Sequence, residues 1–119
     1  MASQIIYCSE EKFSNLGNTF MKKKKGINER EFRKLFGIKP LVCAVIWKLL
    51  NKTKWFHKKR IKDPQPMHLL HTLRFLKSYG VEEVHAMEAE VTCKTWRKWC
   101  WLYVEGIAGL YKHVVSLLS

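Results

Sequence analysis

The chain predicts an all-α fold, a small bundle of about five helices ending in a helix-turn-helix and a long last helix. Three observations predict it. Apolar residues recur at three- and four-residue steps through most of the chain beyond residue 28. The breaks between these runs hold helix punctuation: Asn28, Gly37, Pro40, Asp63-Pro64-Gln65-Pro66, Gly80 and Thr92. Finally, no stretch alternates as a strand does, and neither an internal repeat nor a Gly-rich phosphate loop occurs. At 119 residues and 47% hydrophobic, the chain has material for one core but not for two.

Residues 1–27 read as a flexible basic arm. Ser14, Asn15, Gly17 and Asn18 favour turns, and Lys22, Lys23, Lys24 and Lys25 form a run of like charge. Residues 28–119 read as the folded domain. Asn28 with Glu31 three positions on makes a capping box, Phe32, Leu35 and Phe36 follow at helical spacing, and Gly37 suits a left-handed stop. The spacing predicts a helix from about Glu29 to Phe36. Pro40 suits the first turn of another, to which Leu41, Val42, Val45, Ile46, Leu49 and Leu50 give a wide apolar face.

Asn51 to Pro66 is the main basic block, with Trp55 and Phe56 among Lys52, Lys54, Lys58, Lys59 and Arg60. Basic residues interleaved with aromatics can grip a nucleic-acid backbone. The other reading is a linker whose two aromatics tuck onto the core. From Met67, a helix carries Leu69, Leu70, Leu73, Phe75, Leu76 and Tyr79 and closes at Gly80. His68 and His71 lie three apart on it without a third ligand nearby, so they read as ordinary helix histidines; no metal or cofactor is expected.

Val81 to Trp101 gives the last two helices. A short acidic one, Glu82 to about Ala89, is followed by a tight turn and a second that opens at Thr92. Ala86 is small where the helices must approach, and Val91 plugs the corner. Trp96, Trp99, Tyr103, Ile107 and Leu110 share the core side, which leaves Lys94, Arg97, Lys98 and Trp101 on the other. Glu90 and Trp96 depart from the usual pattern, which favours Gly and a β-branched residue at those positions. In a helix-turn-helix the second helix enters the major groove. Lys94 and Arg97 are the candidates for base contacts. Thr92, Thr95, Lys98 and Trp101 would touch backbone or flank the groove, and Lys22–Lys25 and Lys58–Arg60 would supply phosphate attraction. The helix at Pro40, with the basic block behind it, competes for the groove.

The net charge of +12 is uneven. Residues 22–60 hold fourteen Lys/Arg against two Glu, while both flanks are near neutral. Such a concentration suits a polyanion. Cys8, Cys43, Cys93 and Cys100 form no CxxC pair or zinc spacing and read as reduced thiols of an intracellular protein. The N-terminus lacks the pattern of a secretory signal. Glu105, Lys112 and His113 interrupt the most apolar stretch, so no membrane span is expected.

Four strings stand in order: FRKLFGI (Phe32–Ile38), VCAVIWKLL (Val42–Leu50), PMHLLHTLRFLKSYG (Pro66–Gly80) and VTCKTWRKW (Val91–Trp99). Together they resemble the N-terminal region of Harbinger-like DDE transposases, the eukaryotic relatives of bacterial insertion-sequence transposases, over about Phe32 to Leu118. The resemblance implies helices that bind transposon ends, and a ribonuclease-H-like domain with three metal-binding carboxylates. None of the ten acidic residues matches those carboxylates. Glu82, Glu83, Glu88 and Glu90 read instead as the solvent face and charge complement of their helix.

The expectation is therefore a nuclear double-stranded DNA-binding module without nuclease activity, as a homodimer or beside a separate catalytic subunit. Two alternatives stand beside it. One is a protein–protein interaction module using the last helix, where Trp99, Trp101 and Tyr103 fall within five residues. The other is a truncated fragment without function.

Overall fold

A computed structural model describes residues 7–21, 27–61, 63–78 and 82–118, with side chains through Leu110. These residues form seven helices and no strand: α1 (Glu10–Phe20), α2 (Glu29–Phe36), α3 (Pro40–Lys52), α4 (Trp55–Lys58), α5 (Pro66–Ser78), α6 (Glu82–Glu88) and α7 (Cys93–Leu118). The all-α bundle with a long last helix is as the sequence predicts, with two helices more than the expected five.

The first extra helix lies within residues 1–27, read from the sequence as a flexible arm, and over Glu10–Phe20 the chain is an ordered helix instead. The Ser9 side chain caps α1 by accepting from the Lys12 N–H at 3.2 Å, and Glu10 and Glu11 complement its dipole. Phe13 is fully buried, and Gly17 lets α1 cross α2, since a Cβ there would lie 2.8 Å from the Phe32 ring. Asn18 Oδ1 then accepts from the Ile27 N–H at 2.6 Å, tying the end of α1 to the start of α2. Lys22–Lys25 lie outside the described residues.

α2 has the expected bounds and capping box. The Asn28 side chain accepts from Glu31 N–H at 2.8 Å, and Gly37 ends the helix in the left-handed region at φ +83°. α3 differs from its expected apolar face. It buries Cys43, Trp47 and Leu50, whereas Leu41, Val42 and Val45 are exposed. The core stripe of α3 is thus narrower than its run of apolar residues.

α4 tucks both aromatics of the basic block onto the core. Phe56 wedges between Trp47 and Tyr103, with ring centroids 5.0 and 5.5 Å away. The Trp55 indole N–H donates to the Leu102 carbonyl at 3.0 Å, in a space kept open by Gly106.

α5 and α7 run antiparallel as the spine. Tyr103 Oη donates to the Gln65 carbonyl at 3.3 Å, His68 stacks on Trp99 at 4.4 Å, and Phe75 meets Trp96 edge-on at 5.1 Å. The main core joins α1 to α5 with Tyr103 and Leu110. A second, smaller core of Phe75, Ala86, Trp96 and Cys100 sits under α6 and the first turns of α7.

Candidate nucleic-acid interface

The turn between α6 and α7 is closed by backbone bonds. The Val91 N–H donates to the Ala86 carbonyl and the Glu90 N–H to that of Met87, at 3.1 and 3.0 Å. This is a Schellman stop, and it needs a left-handed residue at Glu90, which stands there at φ +58°. Glu therefore does the work of the Gly that the pattern favours. Thr92 caps α7: its Oγ1 accepts from the Thr95 N–H at 3.2 Å and donates to Thr95 Oγ1 at 2.9 Å.

Trp96 occupies the corner in place of a β-branched residue and is completely buried. It packs on Phe75 and lies nearly parallel to His85 at 5.9 Å, while Ala86 is 2% exposed where the helices approach. His85 Nε2 and Trp96 Nε1 are both buried without a hydrogen-bond partner among the described residues.

With that side packed, Lys94, Thr95, Arg97 and Lys98 are exposed and Trp101 is 45% exposed. At 3.6 residues per turn, Lys94, Lys98, Trp101 and Glu105 fall within about 60° around α7, so they form one stripe. Trp101 leans on Phe75 edge-on at 5.9 Å, which fixes its ring at the border of the stripe.

Arg97 differs from the free base-reading side chain that the spacing suggests. Its Nε donates to Glu82 Oε2 at 2.7 Å, and its Nη2 lies 3.9 Å from Cys93 Sγ. The hydrogen bond to Glu82, then the carboxylate's charge, hold the guanidinium still more firmly in its charged form.

The structure brings part of the basic block to the same side of α7. α4 docks beside Leu102 and Gly106, about one turn beyond Lys98. Lys59 lies over the Trp55 ring at 5.0 Å and pairs with Glu105 at 3.6 Å, while Lys58 and Arg60 are exposed. Two of the candidate cations, Arg97 and Lys59, are therefore balanced by carboxylates of the protein itself.

One cationic group was not singled out from the sequence: Arg30, Arg33 and Lys34 on α2, facing Lys77 of α5. The signal for it was present, since these three stand at i, i+3 and i+4 opposite Phe32 and Phe36.

His71, His85, Cys8, Cys43 and Cys100 are buried, and His68 is half-buried. Burial lowers the pKa of His68, His71 and His85, and His71 falls to about 4. Burial likewise pushes the Cys43 thiol up to about 12 and Cys100 to about 11, which keeps both protonated and unreactive. All four cysteines are free. Among the described residues no three His, Cys, Asp or Glu side chains gather as a metal-holding group, and no helix is long and apolar enough to cross a membrane.

Comparison of the chain with protein-family models, with curated proteins and with solved structures gives no match.

Proposed function

We propose that the chain binds double-stranded DNA through α6 and α7, as a helix-turn-helix module of the Harbinger-like transposase kind, without nuclease chemistry of its own. One observation carries the reading. Trp96, Cys100 and Tyr103 commit one side of α7 to the core, and the opposite side of its first two turns presents Lys94, Thr95 and Lys98, all exposed. Lys94 is the leading base contact in this reading. Lys98, Thr92 and Thr95 contact phosphates, and Trp101 flanks the groove. Arg97 joins by exchanging Glu82 for guanine. Lys58 and Arg60 supply further phosphate attraction, and reduced cysteines suit an intracellular, nuclear site.

Selection from a pool of random duplexes tests this. Enrichment of one motif by the wild type, lost in Lys94→Ala plus Lys98→Ala, is the expected result. Salt-sensitive binding without enrichment, indifferent to those changes, would reduce the reading to a basic surface.

A protein–protein reading is favoured by a different observation from the one expected. Leu41, Val42 and Val45 on α3, with Tyr7 beside them, leave an apolar strip on the surface. Binding through that strip would persist at high salt, whereas duplex binding would not.

A further inference from the structure

Among the described residues, α2 carries more unbalanced positive charge than the first turns of α7. Arg30, Arg33 and Lys34 share the face of α2 opposite its buried phenylalanines, and all three are exposed. Lys77, in the last turn of α5, comes across to meet them. Its aliphatic stem passes over Gly37, where a Cβ would lie 3.6 Å from Lys77 Cδ. The four cations line an open groove of about 380 Å³ between the two helices. Among the described residues no carboxylate comes within 4.0 Å of any of them. The one acidic residue in the groove, Glu29, is held by Lys39 at 3.7 Å. Arg30 and Lys34 repel each other at i, i+4.

The place of the groove in the bundle indicates what fills it. α5 and α7 are antiparallel, so the last turn of α5 and the first turns of α7 share one end of the molecule. Lys77 stands two residues past Phe75, about 200° around α5, and so faces α2 while Phe75 faces α7. α2 packs on α5 beside Lys77, so its cations stand at that same end, one helix removed from those of α7.

We infer that the α2–α5 groove binds the phosphodiester backbone of the same duplex that α7 engages, Arg30 and Arg33 forking onto phosphate oxygens and Lys34 and Lys77 acting as point charges. This rests on the DNA reading above and adds a second, sequence-independent contact to it.

The test titrates a random-sequence duplex of about 20 base pairs into the full chain between about 50 and 200 mM salt. It compares wild type, Arg30→Gln/Arg33→Gln/Lys34→Gln, and Lys94→Gln/Lys98→Gln, with circular dichroism as the control for folding. A shallower salt dependence in the α2 variant, by about two to three in the log–log slope, supports the groove. Arg30→Lys/Arg33→Lys, which keeps the charge, is expected to retain the wild-type slope. Wild-type binding with an unchanged slope in the α2 variant overturns the groove and leaves the DNA reading standing. No saturable binding by the wild type overturns both. Loss in the α2 variant but not in the α7 variant keeps the groove and removes α7 as the reader.

Discussion

The Arg97 guanidinium rests on the Glu82 carboxylate at 2.7 Å, joining the second turn of α7 to the first residue of α6. The same bond that ties the two helices together occupies the side chain best suited to read guanine. Under the proposed function Glu82 competes with DNA, both for the guanidinium and through its charge. Glu82→Gln is therefore expected to tighten duplex binding about three- to tenfold at low salt, and Arg97→Ala to weaken it. Fluorescence anisotropy with a labelled duplex measures both. Unchanged or weaker binding by the Glu82 variant would mean that Arg97 does not engage the duplex and that Glu82 does not compete with it.

Glu90 makes a prediction that does not depend on function. At φ +58° it holds a conformation that costs a side chain with a Cβ about 1 kcal/mol, which Gly escapes. Glu90→Gly is expected to stabilise the fold by about 0.5–1 kcal/mol, read as a higher urea midpoint. Glu88→Gly, at the last residue of α6, is expected to destabilise instead. Destabilisation by Glu90→Gly would show that the side chain makes a contact worth more than the strain.

Glu90 also shows how far the sequence could be read. Local signals were legible, because capping and periodicity act within a few residues: the Asn28 box, the Gly37 stop and the Thr92 cap all stand where they were expected. Long-range pairings were not. Nothing near Arg97 in sequence points to Glu82, fifteen residues back, and nothing near Trp55 points to Leu102. α1 was missed although Phe13, Leu16 and Phe20 recur at helical spacing, because Asn15, Gly17 and Asn18 read as turn formers. Gly17 is there for the crossing with Phe32, a partner visible only in the fold.

Two glycines of α7 separate packing from propensity. A Cβ on Gly106 would lie 2.7 Å from Trp55 Nε1 and 2.9 Å from Leu50 Cδ2, whereas one on Gly109 meets nothing within 4 Å. Helix propensity favours Ala over Gly by about 1 kcal/mol at both positions. Overpacking of about 1–3 kcal/mol opposes it only at Gly106. Gly109→Ala is expected to raise the melting temperature and Gly106→Ala to lower it, with Trp55→Ala relieving the second. Equal gains at both positions would place α4 away from α7.

His71 sets the acid limit of the fold. It is 8% exposed, packed on Phe20 at 4.8 Å and on Trp99 at 6.3 Å. Burial first, then the neighbouring His68 and His85, hold its pKa to about 4. Burial lowers His68 against the pull of Asp63, and lowers His85 against Glu88 with help from Arg74. Unfolded, each titrates near 6.5. Between these values the unfolded chain binds protons that the folded one refuses, so stability is full above about pH 6.5 and falls as pH drops toward 4. At about 1.4 kcal/mol per unit, His71 alone accounts for about 3 kcal/mol by pH 4. Urea midpoints are expected to fall between about pH 6.5 and 5, before most carboxylates protonate. His71→Leu is expected to flatten that slope without abolishing it, since His68 and His85 remain. Midpoints independent of pH across that window would mean that the three rings are already accessible to protons in the folded state.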